Sequence, residues 1–358
     1  MGLFWVLLLA PMLIQHIAAK GLYIEYQKRN NIALAFFFCL LTLIVMLRHE
    51  SVGNDTRNYI YFFERFSRLE WDELKRMRLE PGFSIFNKAV SVISKQPQVY
   101  LAIAAFAVMA MIYPTYKRLC VDASLTIVLF CIMSTFVVMF SGTRQMIAIG
   151  MGFVAYDFTR QKKLVPYILT VLLALTFHAS AFMLVFMYPL YHAKITKKWL
   201  YAVIPAMVFV FVLNRPIFSF LTALMARFSR LEGTASSTGA YTMLLLFAVF
   251  AVFSFLIPEE SSLDEETIGL RNFLLLSLVI QMFAPLHVLA MRMNYYYIIF
   301  IPLLLPKIIE CRSERWDQVA LLGRRVMVIF FLLYFFFNAY RGEGLNVFPY
   351  HFFWENVG

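Results

Sequence analysis

The sequence predicts an all-α protein, a polytopic transmembrane helical bundle of about twelve spans with a long external loop carrying interfacial helices. Three observations carry this. The 358 residues are 61% hydrophobic and 15% charged, where a soluble domain has roughly 45–50% apolar and about 25% charged residues. Uncharged apolar runs of about twenty residues follow one another, which is the length a helix needs to cross the hydrocarbon core. The runs also lack alternation. Residues 130–140 and 326–337 are near-continuously apolar, whereas a barrel strand alternates. A chain in lipid must satisfy its own backbone, so helices remain. The whole chain, residues 1–358, reads as one integral membrane domain.

The apolar runs begin near Leu3, Ile32, Val99, Leu125, Gln145, Leu164, Ala179, Leu200, Tyr241, Asn272, Met293 and Val326. The first lacks a basic leading region and contains Pro11 and Gln15, so it reads as a retained span rather than a cleaved signal. Residues 164–188 form either one long helix or two short ones broken near His178. The run opening at Arg144 is short and contains Gly150 and Gly152. Cys39, Cys120, Cys131 and Cys311 fall within spans or at their inner ends, with neither metal-site nor disulfide spacing.

Short basic connectors set the orientation. Lys20, Lys28 and Arg29 share one side with Lys117 and Arg118, with Arg160, Lys162 and Lys163, with Lys194, Lys197 and Lys198, and with Lys307, Arg312, Arg315, Arg324 and Arg325. That side is cytoplasmic, and both termini lie outside. Acidic Glu259, Glu260, Asp264, Glu265 and Glu266 also fall inside, where they weigh little. The net charge of +11 is mostly this topology signal, and no nucleic-acid partner is expected.

The loop of residues 48–97 breaks the rule. It is external yet holds Arg57, Arg65, Arg68, Lys75, Arg76, Arg78, Lys88 and Lys95. Tyr59, Phe62, Phe63, Phe66 and Leu69 recur near helical spacing, as in an amphipathic helix at the interface. Its charge attracts either anionic headgroups or an anionic substrate gathered outside.

Charged residues within or at the ends of spans are functional candidates. Arg48 ends the second span, Arg144 opens the fifth, and Arg292 lies between the tenth and eleventh, all on the outer side. Guanidinium forks onto phosphate oxygens, so several arginines facing one space point to a diphosphate. The competing reading has each arginine reach up to headgroups. Gly142 and Gln145 beside Arg144 suggest a close-packed helix start whose N–H groups also favour an anion. Asp55 reads as an N-cap and Glu80, before Pro81-Gly82, as a turn residue; either carboxylate alternatively acts as a base or orients a sugar hydroxyl. His178 is either a packing residue or a group that takes a proton near neutral pH.

No nucleotide-binding glycine loop, HExxH or GxSxG motif is present, and no carboxylate pair suggests a metal-dependent nucleotide-sugar transferase. Neither cofactor nor metal is expected. A lipid-linked donor at the outer face fits better, because its leaving diphosphate is stabilised by arginine alone.

The run Arg48-His49-Glu50-Ser51-Val52-Gly53-Asn54-Asp55-Thr56-Arg57-Asn58-Tyr59 resembles the signature of EpsG-family proteins. In that family an Arg closing the second span precedes Val-Gly-x-Asp and a Tyr four residues later. Glu80-Pro81-Gly82 is similar to the family's Glu-x-Gly element, Arg144-Gln145 to its Arg-Gln element, and Phe177-His178-Ala179-Ser180-Ala181 to its Phe-His-x-Ser-Ala element. Arg292 and the tyrosines after it resemble its late Arg and aromatic cluster. The matches run in family order over most of the chain; the first and last spans carry none.

The resemblance implies a Wzy-like polysaccharide polymerase. Such a protein makes an inverting transfer of a growing glycan from undecaprenyl diphosphate to the sugar end of another lipid-linked repeat unit. The expected enzyme is therefore a metal-independent glycosyltransferase of the bacterial cytoplasmic membrane, active on the outer face in exopolysaccharide, capsule or O-antigen synthesis. Arg48, Arg144 and Arg292 are expected to bind the diphosphate, with Gln145 beside them. His178, Asp55 or Glu80 would activate the acceptor hydroxyl, His178 first. Tyr59 and Tyr296 stack on sugar rings or pack at the interface. Partners would be the undecaprenyl-diphosphate-linked oligosaccharide, membrane lipids, a chain-length regulator and a flippase. The alternatives are a lipid-linked glycan ligase or acyltransferase on the same scaffold, or a polysaccharide transporter or flippase. Transport would need polar groups along the whole bilayer depth or on both faces.

Overall fold

A computed structural model describes residues 2–21, 25–77, 79–224, 238–342 and 344–357. Among them there is no strand, and the only bridges are isolated ones at Arg48–Phe352 and Pro258–Arg312. The side chains of Lys20 and Arg76, and the whole of Arg78, lie outside the described residues. The chain forms two compact units, Met1–Val185 with Leu322–Gly358, and Phe186–Leu321.

Four helical stretches are long and apolar enough to cross a membrane: Tyr26–Met46, Pro97–Leu119, Gly239–Leu256 and Glu314–Tyr340. Three further pairs would pass as broken spans, bent by 59°, 120° and 45°. The described residues thus hold four to seven candidate spans, where about twelve apolar runs were counted in the sequence. Length and charge explain the difference. The helix Leu164–Leu175 has 12 residues, too few to cross. Thr143–Arg160 holds Arg144, Asp157 and Arg160 within 18 residues. Glu265–Gln281 holds Glu265, Glu266 and Arg271 within 17.

In the first unit the helices are α1 (Gly2–Gly21), α2 (Tyr26–Met46), α3 (Thr56–Arg68), α4 (Pro81–Ile93), α5 (Pro97–Leu119), α6 (Ala123–Ile132), α7 (Ser134–Ser141), α8 (Thr143–Arg160) and α9 (Leu164–Leu175). Polar side chains inside the apolar helices fix their register. Asn30 of α2 accepts from Gln15 of α1 at 2.6 Å and donates to the Val121 carbonyl at 2.8 Å before α6. Asp122 caps α6 by accepting from the Leu125 amide at 3.3 Å, and its other oxygen takes Arg324. Phe37, Phe38, Tyr116 and Phe130 pack edge to face between α2, α5 and α6. Each such pair adds about 0.5–1.5 kcal/mol beyond its area.

The chain breaks where its sequence weakens the helix. Gly142 separates α7 from α8, and Thr176–His178 separates α9 from a 3-10 stretch at Ala179–Phe186. The run of residues 164–188 is therefore two pieces, broken at His178. These breaks lie at one end of the unit, where α2 ends and α5 begins; the Gln98 amide there donates to the Met46 carbonyl. The connectors with Lys117, Arg118, Arg160, Lys162 and Lys163 lie at the other end, where Arg118 pairs with Asp157 at 3.2 Å.

The second unit holds α10 (Met187–His192), α11 (Leu200–Val212), α12 (Asn214–Leu224), α13 (Thr238–Leu256), α14 (Glu265–Gln281), α15 (Val288–Ile298) and α16 (Ile301–Glu310); α17 (Asp317–Tyr340) follows and from Leu322 onward belongs to the first unit. Asp264 caps α14 by accepting from the Thr267 amide at 2.7 Å. Asn294 of α15 accepts from Ser277 at 2.7 Å and donates to Gln281 at 3.0 Å on α14, a buried polar lock between two apolar helices.

Candidate functional site

The loop between α2 and α5 folds over the broken end of the first unit. It starts with a turn held by glycine. Gly53 has φ +89°, and a Cβ there would strike the Phe140 carbonyl at the end of α7. Thr56 then donates to that same carbonyl at 3.0 Å, and the Asp55 amide to Ser141 Oγ at 3.2 Å. Asp55 stands at the N-cap position of α3, as read from the sequence, but its carboxylate makes no capping bond.

The apolar face of α3 points inward. Tyr59 packs on Phe83 and Phe63 stacks on Tyr100, with ring centroids 5.9 and 4.8 Å apart. Phe66 is wholly buried. The face expected at a lipid interface is thus occupied by protein, because α4 and α5 supply aromatic partners of matching period.

Glu80 precedes α4. The next turn is fastened to α9: the Gly82 and Phe83 amides donate to the Thr176 carbonyl at 2.8 and 3.3 Å, satisfying N–H groups that open a helix. A side chain at Gly82 would meet the Phe177 ring at 2.9 Å. This contact carries Glu80 to the α9 break. Arg144, on the first turn of α8, pairs with Glu80 Oε2 at 2.6 Å, and His178 Nδ1 lies 3.8 Å from Glu80 Oε1. The Arg144 guanidinium also lies 5.9 Å from the Tyr59 ring centroid and 5.6 Å from that of Phe83. Gln145 donates to Ser180 at 3.4 Å, joining α8 to the segment after His178.

Burial works to raise the Glu80 carboxyl. His178 beside one oxygen and the Arg144 charge on the other outweigh it, and hold the group down at about 2. Glu80 is therefore a fixed anion and a poor base. Arg144 Nε is buried without a hydrogen-bond partner, and His178 Nδ1 has only Glu80 Oε1, at 3.8 Å. In a native site such an orphaned atom calls for an explanation, and a ligand is one.

Arg48 differs from the expectation for a diphosphate ligand. It is 2% exposed, with Nη1 turned back on the Val45 carbonyl and Nε unpaired. The void beside it, lined by Val45, Leu101, Met109, Met139 and Met146, is about 10 Å³, room for no more than a water. Tyr59 is covered by Arg144 and Phe83 rather than open to a sugar. In the second unit, Arg292 stands exposed on α15, whereas Tyr296 is 1% exposed.

Three features escaped the sequence. Phe83 lies under Arg144, and only its place after Glu80-Pro81-Gly82 hinted at it. In the last segment, where no motif was read, residues 345–353 run back along the loop. The His49 amide donates to the His351 carbonyl at 2.8 Å, Gly53 to Asn346 and Asn54 to Leu345 at 3.1 Å, and Phe353 to Leu47 at 2.9 Å. Arg271 of α14 is wholly buried, paired with Glu260 at 2.8 Å and stacked 4.0 Å from the Phe255 centroid. Its charge inside an apolar run was the available signal.

Apolar spans and a one-ended cluster of Arg, Glu and His define an integral membrane protein with polar chemistry gathered at one end of a helical unit. The family model of the EpsG family matches residues 31–352, and the chain belongs to that family. Membership points to a Wzy-like polysaccharide polymerase, a glycosyltransferase-like protein that acts on lipid-linked oligosaccharide in the membrane. No curated protein matches the chain, and no solved structure does.

Proposed function

We propose that this protein joins undecaprenyl-diphosphate-linked repeat units at the outer face of the bacterial cytoplasmic membrane. The observation that carries this reading is the Glu80–Arg144–His178 cluster, with 2.6 and 3.8 Å separations, at the end of the first unit away from its basic connectors. Positive connectors stay cytoplasmic, which supports an outward-facing cluster.

In this reading the acceptor hydroxyl oxygen attacks the anomeric carbon of the donor sugar. The bond from that carbon to the diphosphate oxygen breaks, and the electron pair leaves with the lipid diphosphate. His178 takes the hydroxyl proton. Glu80 is held as an anion, so it orients His178 and Arg144 rather than acting as the base. Arg144 keeps an unpaired Nε, which with its remaining N–H groups meets the departing diphosphate. Arg48, buried and turned back on the Val45 carbonyl, takes no part in holding the diphosphate. Arg292 binds donor or acceptor phosphate on the exposed face of α15.

The test is polymer length in cells. Arg144→Ala and His178→Ala, at membrane levels equal to wild type, should leave single repeat units on lipid while long polymer disappears. Loss of a positioned base lowers rate about 10²–10⁴-fold. Unchanged polymer in both variants overturns the reading.

A further inference from the structure

Helix α4 is amphipathic in the opposite sense to a water-facing helix. Its polar residues Ser84, Asn87, Lys88 and Ser91 are buried. The Lys88 ammonium donates to the Leu69 carbonyl, and Asn87 to the Phe83 carbonyl at 2.7 Å. Its outward residues are Ile85, Ala89, Val92 and Ile93, and the three larger ones are 54, 71 and 74% exposed. They recur at i, i+4, i+7 and i+8, a single helical stripe.

Neighbouring α3 has the ordinary sense. Tyr59, Phe63 and Phe66 face inward, whereas Arg57, Glu64, Arg65 and Arg68 are exposed. Two adjacent helices of one loop thus face two different solvents. A helix that hides lysine and asparagine and presents isoleucine and valine is solvated by hydrocarbon. Its 13 residues are about 20 Å long, too short to span, so it occupies one leaflet.

The stripe leads to the ionic cluster. α4 begins one residue after Glu80, and its first turn is fastened to Thr176 at the end of α9. Leu169, Leu172 and Leu173 of α9 are 51–61% exposed. Two hydrocarbon-facing helices therefore meet beside Glu80 and His178. We propose that this corner is the lateral entry for the lipid-linked donor: its prenyl chain lies along Ile85, Val92 and Ile93, and its diphosphate reaches Arg144. The proposal rests on the reading that the donor is a lipid diphosphate.

The experiment uses the full chain in native membranes. In a form with Cys39, Cys120, Cys131 and Cys311 replaced by serine and polymer still made, Ile85→Cys, Val92→Cys and Ile93→Cys are compared with Arg57→Cys and Glu64→Cys. A membrane-impermeant maleimide should label the α3 positions and not the α4 positions. Equal labelling puts the stripe in water and overturns the proposal.

The occupant is then identified with a benzophenone amino acid at Val92 and a tritiated polyprenyl diphosphate as probe. Crosslinking to the probe should be competed by unlabelled polyprenyl diphosphate, and lost in Arg144→Ala. Crosslinking that is neither competed nor dependent on Arg144 shows bulk bilayer lipid alone on the stripe and overturns the entry path. That result leaves the polymer-length test standing, so the two failures are distinguishable.

Discussion

Arg144 and Glu80 lie 64 positions apart in the chain and meet in a 2.6 Å ion pair. The pair forms because Gly82, with no side chain, lets α4 press against Thr176, and because Gly142 ends α7 just before Arg144. It ties the loop between α2 and α5 to the start of α8 and sets Glu80 beside His178.

The pair gives a pH signature. Glu80 sits at about 2 in the folded protein, below its ordinary 4.5. A depressed carboxyl contributes stability that is present above the unfolded value and is lost as pH falls from 4.5 towards 2. The thermal midpoint of the detergent-solubilised wild type should exceed that of Glu80→Gln by a constant margin above about pH 5, and the margin should shrink below it. The effect is modest, since the Glu80 side chain is 23% exposed. A margin that grows on acidification would contradict the pairing.

Gly53 is irreplaceable for two separate reasons, its φ of +89° and the Phe140 carbonyl where a Cβ would stand. Gly53→Ala should cost about 1–3 kcal/mol from backbone strain, and more from the clash. The expected readouts are a lower thermal midpoint and faster proteolysis of the loop. Gly2→Ala meets open space and serves as the control.

Arg48 is a buried cation whose guanidinium touches a carbonyl rather than a carboxylate. A buried cation that no carboxylate faces keeps its desolvation cost uncompensated, and an apolar residue of similar length removes that cost. Arg48→Met should therefore hold or raise the thermal midpoint. A fall of several degrees would show that Arg48 is paired more strongly than its carbonyl contact accounts for.

The terminal segment supplies four backbone hydrogen bonds to residues 47–54, and Tyr350 donates to the Ile44 carbonyl at 2.7 Å. Ending the chain after Gly342 should loosen the loop, speeding amide exchange at His49, Gly53 and Asn54 and shortening polymer. The basic connectors at the other end should exchange as in wild type. Unchanged exchange at the loop would show that the segment only rests there.

The motifs from Arg48 to Arg292 and the glycine at 53 were legible in the chain, because each is a local property of a few neighbouring residues; a break near His178 was one of two readings the run of residues 164–188 allowed. Glu80 and Asp55 were legible as polar residues of one loop. Their unequal fates were not, since only the contact of Gly82 with Thr176 delivers Glu80 to Arg144. The membrane character followed from composition, which no packing can reverse. Span number did not, because a run of apolar residues does not reveal where a helix bends.

What sequence alone determined is thus the solvent of the chain and the polar residues available at one end of its helices, since apolar length and charge act without tertiary partners. Only the tertiary structure decided which way each side chain faces. It turned Arg48 inward and Ile93 outward, because facing depends on the helix's rotation against neighbours dozens of residues away.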